Sequence, residues 1–411
     1  MAIIRPFQAL RPPKHLAAHV ASVPYDVVNT EEALKLASNN QYSFLHVSRP
    51  EIDLAAGTDL HSNPVYAKAK ENFQRFISSG VLKPDTAPCF YLYAQKMGNR
   101  TQTGLVALTS VDDYDAGTIK IHEKTRKDKE DDRTRHILEL NAAAEPVFLI
   151  HGNNQTITAI TSRITKTEPE YEFTSPDAIG HTLWIVKEPA DIAALSQAFS
   201  AMPLLYVADG HHRSASASRV RRILREKNPA HTGNELYNFF LSVIFPESQL
   251  AIMPYNRVVM DLNGNDQLGF LKKISEKFTV EQNRLKAPTA PETFSMYLSK
   301  KWYMLVPRKD VVDHTDPYKS LDVSILQDTV LQPILGIDDP RISTRIDFVG
   351  GIRGTLELER LVDSGKFSVA FSLYPVTVQQ LMNVADAGMV MPPKSTWFEP
   401  KLRSGLFVHV F

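Results

Sequence analysis

The stretch Leu204-Leu205-Tyr206-Val207-Ala208 followed by Asp209-Gly210-His211-His212-Arg213 constrains this chain more than any other. Five apolar residues stopped by Asp-Gly are too few for a buried helix and read as a buried strand. Beyond the turn, Ser214-Ala215-Ser216-Ala217-Ser218 runs into Val220, Ile223 and Leu224 at helical spacing. The stretch therefore predicts strand, sharp turn, helix. An acid, a glycine, two imidazoles and a guanidinium crowd the turn, and the small residues behind it leave room for a ligand near the backbone. Amides at a helix start, with Arg213 and the histidines beside them, suit a phosphate group. The plain alternative is a turn whose His and Arg side chains cap neighbouring elements.

At 411 residues the chain is long for one core. The expected division is an N-terminal α+β region over 1–115, a central region over 116–250 carrying the His/Arg-rich motifs, and a C-terminal α+β region over 251–411 whose last loop returns to the site. Hydrophobic residues make up 43% and charged ones 22%, an ordinary globular balance. Lys+Arg and Asp+Glu both number 46, so no protein-wide basic field draws the chain to nucleic acid. Cys89 is the only cysteine, which excludes an intrachain disulfide and a Cys-based zinc site within one chain. The N-terminal residues lack the apolar core of a signal peptide, and no window approaches ~18 uninterrupted apolar residues. The expectation is a cytoplasmic protein with no membrane partner; a homo-oligomer is compatible with this composition.

Apolar runs and turn signals predict strands over 44–47, 90–95, 104–109, 146–150, 181–186, 237–245, 302–306 and 406–411. Helices are expected from 31, from Asn63-Pro64 to near Gly80, and over 126–137, 190–199, 268–278, 326–335 and 376–386. The stretch 156–172 carries no assigned element. Strands and helices interleave without regular alternation, so an α/β or mixed α+β class is favoured over a doubly wound sheet.

No P-loop, Gly-x-Gly-x-x-Gly after a strand, His-Glu-x-x-His or Gly-x-Ser-x-Gly occurs. Two clusters join the opening turn. The first is His122-Glu123-Lys124-Thr125-Arg126, continuing through Glu130, Arg133 and His136. On a helix, Arg126, Glu130 and Arg133 share a face with His136 nearby. That face could offer two guanidiniums and an imidazole to anionic oxygens, with Glu123 as base or Mg²⁺ ligand. The alternative is a solvated helix laced by ion pairs. The second cluster is Lys394-Ser395-Thr396 through Lys401, stiffened by Pro392, Pro393 and Pro400. It reads equally as a phosphate loop or as a surface loop anchored by Trp397 and Phe398. The basic run Arg219 to Lys227 reads as a solvated helix face.

These three motifs, in this order, resemble one family, domain of unknown function 1015. The resemblance extends from Pro24-Tyr25-Asp26-Val27 to Gly405-Leu406. The Asp-Gly-His-His-Arg turn alone is also similar to the phosphate-binding turn of the ParB/sulfiredoxin-like fold, which includes nucleotide-binding partition proteins, sulfiredoxins and a free-serine kinase. This implies a ParB/sulfiredoxin-like core with additional mixed-sheet regions. It further implies a small-molecule kinase acting on a metabolite hydroxyl, with free L-serine as acceptor and ATP, ADP or pyrophosphate as donor, and Mg²⁺ as cofactor. Asp209 or Glu123 would act as base, and His211, His212, Arg213 and Gly210 would hold the phosphoryl group. His122, Arg126, Arg133, His136, Lys394, Ser395, Thr396 and Lys401 would complete the phosphate site. The same cradle would serve a phosphoester hydrolase with His211 or His122 as nucleophile or acid. A nucleotide-dependent DNA-binding or regulatory module is the reading from another class.

Overall fold

The computed structural model describes residues 2–411 and places them in two compact units, one running to Leu250 and including Pro400–Phe411, the other Ala251–Glu399. Both are mixed α/β. Residues from the first two expected regions, 1–115 and 116–250, contribute strands to the same sheet.

Nine strands form that sheet in the first unit: Ile4–Arg5 (β1), Phe90–Met97 (β2), Arg100–Ser110 (β3), Ile119–Lys120 (β4), Val147–His151 (β5), Tyr171–Thr174 (β6), Gly180–Val186 (β7), Leu205–Asp209 (β8) and Phe239–Pro246 (β9). Their order is β4-β8-β5-β9-β3-β2-β7-β6, with β1 also on β3. Pairs β4–β8 and β5–β9 are parallel and the others antiparallel, so the sheet is mixed. The β2–β3 hairpin forms around Gly98, at φ +59°, as its sequence requires.

Helices cover the sheet because their apolar stripes need burial. Asn63–Ser78 (α1) contributes Ala69, Phe73 and Phe76 to a core with Leu10, Phe44, Leu140 and Val408. Another core joins Ile157, Ile160 and Ile164 of Gln155–Ile164 (α3) and Leu195 and Phe199 of Pro189–Ser200 (α4) to sheet residues such as Leu92, Leu149 and Val207. Lys127–Leu140 (α2) and His211–Lys227 (α5) pack on each other. Their contact is close because Ser216 is fully buried and its Oγ donates to the Glu130 carbonyl, 3.1 Å away. The small residues behind the turn thus admit a neighbouring helix.

The second unit is an antiparallel sheet. Its strands are Tyr255–Val259 (β10), Phe278–Gln282 (β11), Phe294–Leu298 (β12), Lys301–Pro307 (β13), Ile346–Gly350 (β14) and Val369–Leu373 (β15), in the order β11-β13-β12-β15-β10-β14. Gly354–Asp363 (α7) follows Gln267–Ser275 (α6) in the chain and packs Leu358 against Val258, Ala370 and Tyr297.

Three local expectations change. The run 44–47 is helical, with Leu45–Ser48 forming one turn, because Leu45, Val47 and Ser48 are all buried and no alternating face exists. The expected helix 326–335 is split: Asp322–Leu326 is α-helical and Gln327–Leu331 is a π-helix whose Gln327 side chain bonds the Ile337 carbonyl. Of the C-terminal run, only His409–Val410 pairs as strand. No helix among the described residues is long and apolar enough to cross a membrane.

Candidate active site

β8 carries Asp209 at its end, and its register slips between Val207 and Asp209, the irregularity by which a strand re-aims a side chain. Gly210 follows at φ +98°, a conformation that L side chains rarely adopt. A Cβ there would also stand 3.0 Å from the Arg213 guanidinium, so the glycine is required twice over. α5 then begins at His211 with no side-chain cap on Gly210, leaving first-turn amides without an intrahelical acceptor.

Asp209 sits between two cations. Its Oδ2 accepts from Arg213 Nη2 at 2.5 Å, and its Oδ1 lies 3.2 Å from Lys401 Nζ. Burial alone would raise the Asp209 carboxyl, but the charges of Lys401 and Arg213 outweigh it and hold the group well below the usual carboxylate range. Arg213 is buried, donates from Nη1 to the Pro146 carbonyl, and has its Nε buried without a partner. Burial opposes its charge; Asp209, Asp26 and Glu145 keep it protonated.

The two histidines of the turn grip the 122–126 loop. His211 Nε2 accepts the His122 backbone N–H at 3.5 Å, and the two rings meet edge to face with centroids 4.5 Å apart. His212 Nε2 accepts the Arg126 N–H at 3.0 Å. Burial pushes His122 down to about 4, against a hydrogen bond to the Val207 carbonyl that favours its charge. Burial and the neighbouring His122 push His211 well below the ordinary imidazole value. At neutral pH both rings are therefore uncharged. Glu123 is half-buried within the loop so held.

Other sequence-nominated residues have protein partners of their own. The Arg126 side chain is exposed and forks onto Asp128, at 2.8 and 3.2 Å. Arg133 is buried against Asp132 at 2.8 Å and Glu145 at 3.4 Å, with its guanidinium 3.9 Å from the Tyr25 ring centroid. His136 Nε2 contacts the Val47 carbonyl at 2.9 Å, and burial pushes the ring down to about 4. Between α2 and α5 lies a cavity of about 20 Å³ lined by Arg133, His136, Glu145, Arg213 and Phe240. It has room for one water and none for a phosphate. Lys394, Ser395 and Thr396 belong to the second unit, where Ser395 Oγ donates to the Pro392 carbonyl at 2.6 Å. Along α5, Arg219 pairs with Glu130 and Asp131, and Arg221 with Asp112 and Asp115, so neither is a free basic contact.

Glu145 and Tyr25 went unselected in the sequence. Glu145 is buried, accepts from the Tyr25 N–H at 3.3 Å and Ser404 Oγ at 3.4 Å, and lies within the field of Arg133 and Arg213. The Pro24-Tyr25-Asp26 run was the available signal for Tyr25; Glu145, lone among alanines before Pro146, offered none.

Mg²⁺ was expected here. Among the described residues no three His, Cys, Asp or Glu side chains are placed to hold a metal ion. Asp209, with each oxygen on a cation, is not disposed as a ligand.

The family model described as "Protein of unknown function (DUF1015)" matches residues 4–324, most of the chain. The chain belongs to the DUF1015 family. No curated protein matches it. Among solved structures, a variant of free serine kinase in complex with AMP is 12% identical with a TM-score of 0.37, over 74% of this chain and 92% of that one. SbnI from Staphylococcus aureus, truncated at its C-terminus, is 13% identical with a TM-score of 0.39, over 74% and 87%. A conserved hypothetical protein from Pyrococcus furiosus is 13% identical with a TM-score of 0.35, over 75% and 95%. These are distant similarities.

Proposed function

We propose that this DUF1015 chain is a small-molecule kinase that transfers a phosphoryl group to a metabolite hydroxyl, with its site at the turn between β8 and α5. The observation that carries the reading is a carboxylate and an ammonium paired at the uncapped start of a helix. Asp209 accepts a hydrogen bond from the acceptor hydroxyl and orients its oxygen. Lys401 and the first amides of α5 take the charge of the phosphoryl group. A hydroxyl oxygen bonds to the donor's terminal phosphorus while the bond to the leaving phosphate breaks. The hydroxyl proton passes to a carboxylate, either Asp209 or Glu123. Because Asp209 is held strongly ionised, it acts more as an orienting acceptor than as a strong base.

His211 and His212, both accepting backbone amides, position the loop that carries Glu123 and Arg126. Free L-serine is the acceptor named by the turn's resemblance to ParB/sulfiredoxin-like kinases, with ATP, ADP or pyrophosphate as donor. Phosphoryl transfer is mostly positioning and electrostatics, so a site with no dedicated nucleophile suits it. The test is a screen of purified protein with the three donors against hydroxylated metabolites. Arg213→Ala and Glu123→Ala should each lose activity on whichever substrate emerges. Full activity in both variants removes the site from this turn. Release of phosphate from O-phosphoserine without any donor assigns hydrolysis instead.

A further inference from the structure

Four arginines are among the buried residues described: Arg133, Arg213, Arg257 and Arg403. Three have carboxylates. Arg133 pairs with Asp132 and Glu145, Arg213 with Asp209, and Arg403 with Asp177. Arg257, 2% exposed, has none. It lies mid-way along β10, between β14 and β15, with Phe348 and Phe371 as its cross-strand neighbours. Its neighbour Val258 packs on the α7 side, so alternation sends Arg257 to the opposite face with Tyr255.

There the guanidinium donates to the Tyr255 carbonyl and, over 3.4 Å, to the Pro393 carbonyl, and stands 5.3 Å from the Phe348 ring centroid. Carbonyl dipoles orient it but leave its charge unmatched. Burial pushes it down to about 10, with only the Tyr255 phenol opposing that. A buried cation without a counter-charge is costly, and the other three buried arginines avoid that cost.

A second cation follows in the loop that Arg257 reaches, since its Pro393 partner immediately precedes Lys394. Lys394 is exposed, and its Nζ lies 5.7 Å from the Tyr255 ring centroid. Trp397 meets Tyr255 edge to face at 5.0 Å. A side chain on Gly350 would come within 3.0 Å of the Trp397 ring, so the strand backbone and the indole are in close apposition. The loop that brings Lys394 is tied internally by Ser395 on Pro392 and fastened beyond it by Trp397–Phe398, which pair with Ile252–Met253.

We propose that Arg257 and Lys394 form an anion site in the second unit that takes a compact phosphate group, free or as a phosphate monoester. A planar fork plus a point charge matches a dianionic oxyanion, and the Glu399 carboxylate at the rim is engaged by the Trp397 indole N–H at 2.9 Å. Tyr255 and Trp397 give the site an aromatic rim. This inference does not rest on phosphoryl transfer at Asp209.

Titration calorimetry of the full chain with inorganic phosphate, and separately with AMP, at constant ionic strength tests it. Arg257→Met should lose at least tenfold in affinity and Lys394→Ala several-fold, while Arg360→Ala, at an exposed position of α7, should leave this binding in place; Arg213→Lys separates off any binding at the β8–α5 turn. AMP binding more tightly than phosphate, in an Arg257-dependent way, assigns a nucleoside phosphate; equal affinities assign free phosphate. Wild-type affinity in Arg257→Met overturns the proposal, as does binding lost only in Arg213→Lys or no binding at all. If Arg257→Met does not fold, Lys394→Ala decides, and unchanged affinity there overturns the proposal. Arg257-dependent binding without any kinase activity would keep this site while removing the kinase reading.

Discussion

At Gly210 two constraints coincide, a left-handed backbone and a guanidinium where a Cβ would stand. Gly210→Ala should therefore destabilise the first unit by about 1–3 kcal/mol, from backbone strain and displacement of Arg213. Denaturant unfolding reads this; an unchanged midpoint contradicts it. The buried histidines make a different prediction. His122, His136 and His409 are held neutral, each pushed down to about 4 by burial. A folded-state value below the unfolded one means the unfolded chain binds the proton first. Their stabilisation is complete above the unfolded value near 6.5 and is lost as pH falls toward 4. Within that window each contributes a slope of up to about 1.4 kcal/mol per pH unit, and His136→Gln should flatten the curve. The turn itself was legible because Asp-Gly interrupts an apolar run. That Arg257 has no counter-charge was not, since pairing depends on which carboxylates the fold brings near.

At the scale of elements, α2 and α5 meet through Ser216, which is fully buried. Ser216→Leu should cost about 1–3 kcal/mol by forcing the helices apart, and should loosen the loop held by His211 and His212. Hydrogen exchange at the Arg126 amide, which donates to His212, follows the second effect; unchanged protection there would contradict it. Helix α3 had a readable signal in Ile157, Ile160 and Ile164 behind Asn154, whose side chain caps it. Polar residues filling the other face of that stretch masked the period. The run 44–47 was misread for the opposite reason: a short apolar segment buried all round has no face to reveal its period.

At the scale of the whole molecule, the first unit is closed by residues Pro400–Phe411. Leu402, Leu406, Phe407 and Val408 are all buried there, and Val408 exchanges backbone hydrogen bonds with Leu10. Ending the chain at Glu399 should remove about 6–12 kcal/mol of apolar burial and the Lys401 partner of Asp209. Calorimetry should show the first unit's transition lost and the second's retained; two intact transitions would contradict the claim that residues 400–411 complete the first unit. Length alone makes the chain long for one core, whereas the Lys401–Asp209 pair joins residues 192 positions apart and has no local signal. Strand order was beyond reach, because β4, β8 and β5 are brought together by pairings that no local pattern encodes.

Phosphoryl transfer at the β8–α5 turn is tested most directly by O-phosphoserine formation from L-serine and each donor, comparing wild type with Asp209→Asn. That substitution keeps the side chain's shape and removes the charge that Lys401 and Arg213 share. The account predicts product with wild type and at least a hundredfold lower rate with Asp209→Asn, in a protein that remains folded by circular dichroism. Equal rates for the two proteins, or no product with any donor, would contradict it.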